Sequence, residues 1–518
     1  MHVANSLVLI VGAGPTGLNL ALSLARRGVP CRIISEADGP GEHSRAMVVQ
    51  ACTLEFYDQL GFGEEVVLQG IKAGGAHILE REPDGRGREV ASFSFAEMGD
   101  SLSPYPFALP YPQDDHERFL IDKLKAAGGT VEWRSKLTAF SEDRDGVRAT
   151  VSRDGQNEEI RAAYICGCDG AHSCVRETLG VGFPGGTYEQ LFYVADVKVN
   201  RGLEQDVYMY LGGHILTLIF PVRSNGLQRL IGLVPPEFSD RQDLTFEDIR
   251  HQVEPLLDLK VTEVNWFSRY RVHHRVAAHF RVGRAFLLGD AAHIHSPVGG
   301  QGMNTGIGDA MNLGWKLAQV LKNAADAALL DTYEPERIGF ARSLVATTDH
   351  AFTPMVAEGW RGEVMRRLLA PLFFTVATRC ALGRHAMFRL VSQTRIHYPD
   401  SPLSEGKAGE VTGGDRLPWV GSENNFTPLR SLDWQVHVYG TINKGFESAC
   451  HDLGLATHAF RWSEDAHDAG IERDAAYLVR PDGHVAVAST EQNVRAFTAL
   501  MDRFGINFGA PKSVISAH

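Results

Sequence analysis

Residues 6–28 read SLVLIVGAGPTGLNLALSLARRG: an apolar run from Leu7 to Val11, glycines at 12, 14 and 17, then apolar positions at helical spacing as far as Gly28. This predicts a strand, a tight turn and a helix. A second strand, CRIISEA, ends on Glu36. The succession of apolar run, abrupt Gly or Asp, and helix occurs twice more. In AAYICGCDGAHSCVRETLG the strand ends on Asp169-Gly170 and Ser173 caps the helix that follows. In VGRAFLLGDAAH it ends on Gly289-Asp290, and SPVGGQGMNTG then leads into a helix with an apolar stripe at Met303, Ile307, Ala310, Leu313, Leu317 and Leu321. From about Leu179 to Phe280 the period shortens to two, in LFYVADVKV, DVYMYLGG, HILTLIFPV, LQRLIGLV and WFSRYRVHHRVAAHF. These predict an antiparallel sheet with one face open to a ligand. After a helical stretch ending near 400, SPLSEGKAGEVTGGDRLPW reads as a linker, and the last hundred-odd residues, with the hairpin AYLVRPDGHVAVA, read as an α/β module.

Composition narrows the class. At 518 residues the chain exceeds one ordinary core, so several domains are expected. The net charge is −12, with Lys and Arg scattered rather than banded, which disfavours nucleic acid and anionic membrane as partners. The run Leu7–Val11 is too short for a signal-peptide core, which gives a cytoplasmic expectation. Leu368–Gly383 is the longest apolar segment, but it carries Pro371 and Arg379 and falls short of the roughly 20 residues of a span. It reads as a buried or dimer-facing helix. Cys166, Cys168 and Cys174 cluster, yet no second CxxC or His pair answers them, so no metal site is expected and the thiols are read as reduced.

The motifs carry the chemistry. Gly12 makes the turn, Gly14 lets the backbone approach a pyrophosphate, and Gly17 lets the helix pack on the strand. Glu36 is placed to accept hydrogen bonds from an adenosine ribose. Asp290, at the carboxyl end of its strand, accepts from hydroxyls and repels phosphates, which suits a ribose or a ribityl chain. FAD has both; NAD has only ribose. Gly299, Gly300 and Gly302 let backbone lie against a flat ring, beside a helix N-terminus whose dipole favours negative charge there by about 1–2 kcal/mol.

At these residues the chain resembles the FAD-dependent aromatic hydroxylases, the single-component flavoprotein monooxygenases typified by para-hydroxybenzoate and phenol hydroxylases. Gly12, Gly14 and Gly17 match the family's GxGxxG, Asp169-Gly170 its DG motif, and Gly289-Asp290 with PVGGQGMNTG its GD motif. Arg45 in SRA is similar to an arginine beside the FAD, Gln113 in QDDHERFL to a flavin-side glutamine, and LLDTYEPER to family sequence. The resemblance reaches about residue 405. It implies NADPH or NADH as reductant, dioxygen as oxidant, and attack of a flavin C4a-hydroperoxide on an activated aromatic ring. Asp169, Gly289, Asp290, Pro297, Gly300, Gly302, Met303 and Asn304 then join the cofactor set. The same fold can perform Baeyer–Villiger oxidation or epoxidation, and a flavoprotein that only binds ligand is the rival from another class.

Pro297, Gly299 and Gly300 are the expected wall beside the flavin, and His295 a proton-relay candidate; His293 reads as structural. Tyr210, Phe220, Arg271 and His273 are the substrate candidates. Several arginines, Arg26 and Arg27 among them, offer a 2′-phosphate contact, but each also reads as a solvated helix charge. The expected architecture is α/β: a Rossmann-like FAD-binding domain from 1–75, 111–178 and 281–345, an inserted antiparallel β-sheet substrate domain from 76–110 and 179–280, a helical segment 346–404, and a C-terminal domain 405–518 that resembles the thioredoxin-like domain of the phenol hydroxylase branch. Cys450 is the only cysteine of that last module, so it reads as packing or oligomerisation, with a homodimer expected, rather than dithiol chemistry.

Overall fold

The computed structural model describes residues 6–509 apart from 42–46, 82–86, 201–202, 204, 213–214, 223–225, 258, 296–299, 357–363 and 366–368. The first apolar run is β1 (Val8–Val11), buried throughout. Helix α1 (Pro15–Arg26) begins on a proline, whose missing N–H is one of the orphans of a first turn anyway. β1 runs parallel to β2 (Cys31–Ile34) on one side and to β3 (Tyr164–Gly167) on the other, and β3 runs parallel to β4 (Ala285–Leu287). In register, Val11 faces both Ile34 and Gly167, and Gly167 faces Leu287. The three motif-bearing strands therefore finish together at one edge, where open α/β sheets bind ligands.

Helix α2 (Gly302–Leu321) carries the predicted stripe, of which all but Met303 is buried. A one-sided helix was expected. Instead Asn304, Thr305, Asp309, Asn312 and Lys316, on its other faces, are buried as well, because α1, α3 (Tyr333–Val356) and the C-terminal module enclose it.

The second sheet has eight strands, in the order His293–Ile294, Val261–Val276, Gly185–Val199, Leu227–Leu233, Ile215–Pro221, Val207–Gly212, Gly75–Arg81, Gly87–Ser94. It is antiparallel except where Val207–Gly212 runs parallel to Gly75–Arg81, a pairing invisible to local periodicity. One face packs on helix Phe246–Leu257. The opposite face, with Phe192, Met209 and Tyr270 and Phe220 beside Met47 and Val48, turns toward the motif edge. A three-stranded antiparallel sheet, Ser135–Ala162, precedes β3 and has no counterpart in the expected architecture.

Segment Leu368–Gly383 does not form one helix. α4 (Ala370–Arg379) ends at Cys380, whose extended backbone starts α5 (Ala381–Val391). Leu372, Phe373 and Leu382 on this pair are 55%, 61% and 85% exposed, so the segment is not a buried one. The supposed linker is also structured. Glu405–Ala408 runs parallel to Val485–Ser489 and antiparallel to Val411–Thr412, inside a six-stranded sheet ordered Val411–Thr412, Glu405–Ala408, Val485–Ser489, Ala476–Val479, Gln435–Tyr439, Ala456–Phe460. Ser401 donates to Glu336 (2.6 Å) and Arg416 pairs with Glu55 (2.5 Å), which pins its two ends to the first domain.

Candidate active site

The turn after β1 is shaped by what its glycines must avoid. Gly12 takes φ +105°, and a Cβ there would collide with the Cys168 carbonyl and stand 2.9 Å from Asp169 Cα. A Cβ on Gly17 would collide with the Gly12 carbonyl oxygen. At Gly14, by contrast, an added Cβ meets nothing within 4 Å. Gly14 also caps α1 without a side-chain hydrogen bond, so the first-turn N–H groups of α1 face open space with the positive end of the helix dipole behind them. That cradle fits a dinucleotide pyrophosphate.

The DG and GD motifs close on this turn. Asp169 accepts from Ser173 Oγ (2.5 Å) and from the Val175 N–H (3.1 Å), and Ser173 accepts from the Arg176 N–H (3.0 Å). Its carboxylate is thus engaged in capping, which holds the Cys168–Asp169 backbone against Gly12. Arg176 donates to Ala171 O (2.8 Å) and Ala291 O (3.0 Å), tying the DG turn to the GD turn. Gly289 in turn abuts Thr16 of α1, whose Oγ1 would lie 2.6 Å from a Cβ there. Asp290 is exposed just beyond β4, and the side chain of Glu36, past the end of β2, is 69% exposed and 3.0 Å from Lys136 Nζ.

The far end of the edge is built from Val48, Gly300 and the start of α2. Gly300 takes φ +62° with Val48 Cβ 3.3 Å from where its own Cβ would be. Gly302 opens α2, Met303 is half-buried, and the His295 ring lies over this first turn, its Nε2 3.7 Å from a Cβ built on Gly302. Asn304 follows in the same turn. Its amide donates to Val48 O (2.9 Å) and Gly300 O (2.8 Å), and its oxygen accepts from the Gln50 N–H (2.9 Å) and Thr53 Oγ1 (2.8 Å). The side chain is consumed in shaping the loop. Gln113 begins helix Gln113–Ala126 and donates to Glu117 (2.8 Å), which accepts from the Gly41 N–H (3.0 Å). Arg45, Pro297 and Gly299 lie outside the described residues.

The family profile described as "FAD binding domain" matches residues 5–348. This chain belongs to the FAD-dependent aromatic hydroxylases. The hydroxylase is 36% identical over 421 residues to 6-methylpretetramide 4-monooxygenase of Streptomyces rimosus, covering 78% of this chain and 72% of that one. It is 31% identical to pentachlorophenol 4-monooxygenase of Sphingobium chlorophenolicum, over 80% and 76% of the two chains. Among solved structures, an aklavinone-11 hydroxylase in ternary complex with FAD and aklavinone superposes with a TM-score of 0.74 at 26% identity, covering 96% of this chain and 98% of that one.

Beneath the hydroxylase's flavin edge lies a network of buried charges that sequence inspection missed. Asp309 of α2, fully buried, accepts from the Gly289 N–H (2.9 Å), His293 Nε2 (2.7 Å) and Arg337 Nε (2.6 Å). His293 is therefore structural, as expected. Arg337 also donates to Tyr398 (2.9 Å) and Thr305 O (3.0 Å). Next to it, Glu336 accepts from Lys316 (2.7 Å), Asn312 (2.6 Å) and both terminal nitrogens of Arg480 (2.8 and 3.0 Å). Arg480 comes from the C-terminal hairpin and also binds Asp482, which accepts from Trp315 Nε1 (3.0 Å). Arg27 donates to the Pro481 carbonyl (3.3 Å), so it is an interface residue and not a phosphate clamp.

Burial alone would raise these carboxyls, but the adjacent cations outweigh it: Arg480 and Lys316 hold Glu336 down at about 2, Arg337 and His293 hold Asp309 below its usual range, and Arg480 and His484 hold Asp482 well below. With folded values depressed, the stability these groups contribute is complete above their unfolded pKa values, near 4, and is lost as pH falls through the folded ones. Acid unfolding followed by flavin and tryptophan fluorescence is thus expected to set in below about pH 4, both signals moving together. Flavin release with folding intact down to pH 2 would show that the network does not hold the two together.

Three of the four substrate candidates face away from the motif edge. Tyr210 is 4% exposed, in the core beneath helix Phe246–Leu257. Arg271 and His273 alternate with Val272, which lies on the inner face, and are exposed on the other side, where Arg271 donates to the Glu189 carbonyl and His273 pairs with Thr187 Oγ1 (2.7 Å). Phe220 alone is on the inner face.

Proposed function

We propose that the hydroxylase inserts one oxygen atom of dioxygen into a phenolic or polycyclic aromatic compound, with NADPH or NADH as reductant. The observation that carries this reading is the convergence of Gly12–Gly17, Asp169–Gly170 and Gly289–Asp290 on one sheet edge, beside an apolar face bearing Phe192, Phe220 and Tyr270. The names of the two relatives, a pretetramide and a pentachlorophenol monooxygenase, support the polycyclic and phenolic classes respectively.

When bound, FAD supplies hydride acceptance and oxygen activation. The chain's own residues bind and exclude. The first turn of α1 holds the pyrophosphate, Glu36 the adenosine ribose and Asp290 the ribityl chain. The N-terminus of α2, with Gly300 and Gly302, would hold the ring and its dipole would favour negative charge there. By the family resemblance, Pro297 and Gly299 would belong to the same ring-side segment, whose role would be to keep water from the reacting atoms. By the same resemblance, Arg45 and Gln113 would contact the FAD. His295, over that first turn, is the relay that takes a phenol proton, since a phenolate attacks faster than a phenol. No described helix is long and apolar enough to cross a membrane, and a cytoplasmic enzyme is the matching reading. The exposed Leu372, Phe373 and Leu382 support a homodimer, and the C-terminal strand order supports a thioredoxin-like packing module without dithiol chemistry, Cys450 being buried and free.

Asp290→Ala removes the polyol acceptor and is expected to weaken FAD binding by about 1–3 kcal/mol, with the fold unchanged because the side chain is exposed. Equilibrium flavin titration of the apoprotein measures this, and an unaltered affinity would contradict the placement of Asp290. The reading as a whole is tested by screening phenols, naphthols and polycyclic quinones for stimulated NADPH oxidation. A stimulating compound recovered one oxygen atom heavier is the expected outcome.

A further inference from the structure

A cavity of about 280 Å³ lies away from the flavin motifs, between the edge strand Gly87–Ser94, the short helix Phe95–Gly99 and the junction of α4 with α5. Two arginines line it: Arg379, the last residue of α4, and Arg384, in the first turn of α5. They bracket the N-terminal end of α5, where the helix dipole is positive. Arg384 Nη1 donates to the Thr378 carbonyl (3.1 Å), which fixes the guanidinium, while its Nε is buried with no hydrogen-bond partner among the described residues. Neither guanidinium has an acid within 4.0 Å among the described residues.

The buried arginines 229, 337 and 480 and the half-buried Arg416 each hold a carboxylate at 2.8 Å or less, and buried Arg176 spends its guanidinium on two carbonyls. A half-buried, unpaired guanidinium with an idle N–H costs stability unless an external acceptor meets it. The hydroxyl of Ser92 adds a neutral donor to the lining, and the one carboxylate, Glu97, is exposed. The formal charge of the lining is thus +1.

We propose that this cavity is an oxyanion-binding site, taking the carboxylate or phosphate group of a small molecule between Arg379 and Arg384. Guanidinium forks match both groups through paired N–H donors, and the volume suits one ring or one phosphorylated sugar rather than a whole dinucleotide. Two sources share this chemistry: the extra phosphate of a nicotinamide coenzyme, and an acidic group on the aromatic substrate. The choice of these sources rests on the monooxygenase reading. Anion binding itself does not, so the two fail separately.

The test is isothermal titration of the FAD-loaded protein with inorganic phosphate, benzoate and NADP⁺, with phenol and NAD⁺ as counterparts lacking the group. At least one oxyanion probe should bind wild type, more weakly as ionic strength rises. Arg384→Gln and Arg379→Gln should each weaken it roughly ten- to a hundredfold, with flavin content and circular dichroism unchanged. A loss confined to NADP⁺ and phosphate identifies the coenzyme as source, and one confined to benzoate identifies an aromatic acid. Arg379 is exposed at a helix end, so its variant remains informative if Arg384→Gln fails to fold. Absence of binding by all three probes, or equal affinities in wild type and both variants, overturns the proposal.

Discussion

Arg480→Met is expected to lower the free energy of unfolding by about 3–5 kcal/mol, the cost of removing one partner from a buried ion pair. Arg480 is fully buried and bridges Glu336 of the flavin domain and Asp482 of its own hairpin. Methionine fills part of the volume but donates nothing. Asp482 keeps only Trp315 Nε1 and local donors, and Glu336 keeps Lys316, Asn312 and Ser401. Two carboxylates, both held ionised mainly by the lost guanidinium, then remain in a low-dielectric interior. Because Trp315 belongs to α2, the loss is expected to loosen the C-terminal module from the first domain as well as to destabilise both. Urea unfolding with saturating FAD measures it, and a change below 1 kcal/mol would mean that the hairpin is not a structural plug.

Asp309→Asn is expected to cost a similar amount, about 3–5 kcal/mol, and in addition to weaken FAD binding. The replacement keeps shape and removes charge. Arg337 loses its carboxylate, and the amide must choose between presenting oxygen to the Gly289 N–H and His293 and presenting it to Arg337 Nε, while its NH₂ faces the other side. In the proposed reading the Gly289 turn carries the polyol acceptor Asp290, so the disturbance is expected to pass from stability to flavin affinity. This separates the two variants: Arg480→Met is read mainly in unfolding, Asp309→Asn in unfolding and in flavin affinity alike. An Asp309→Asn protein that binds FAD as tightly as wild type would remove Asp309 from the support of the GD turn.

What was legible along the chain was local. Gly12 and Gly17 announce themselves because a turn of this kind leaves no room for a Cβ, and the strand ends at Asp169 and Gly289 because an apolar run stops abruptly. The network was not legible, since the pairs that join its segments stand 16 to 167 positions apart and only packing joins them. A faint signal existed: Asp309 interrupts the otherwise small and apolar run Gly306–Met311, and Arg337 sits in the familiar LLDTYEPER. Period-two alternation correctly put Tyr208 and Tyr210 on one face but could not tell which face meets the flavin domain. Helix Phe246–Leu257 decides that, by covering the Tyr210 side. The segment from Ser401 to Trp419 looked like a linker because its glycines and prolines are loop-formers, yet Glu405–Ala408 is held between Val411–Thr412 and Val485–Ser489, where the backbone ladder, not side-chain pattern, supplies the stabilisation.

The account's central claim, that this chain activates dioxygen and places one of its atoms on an aromatic ring, is tested most directly by turnover under ¹⁸O₂ with NADPH and the best stimulating aromatic ligand, followed by mass spectrometry of the product. One labelled oxygen atom per product molecule, with NADPH consumed in step, is the predicted result. Label found only in hydrogen peroxide across a broad panel of ligands would contradict it.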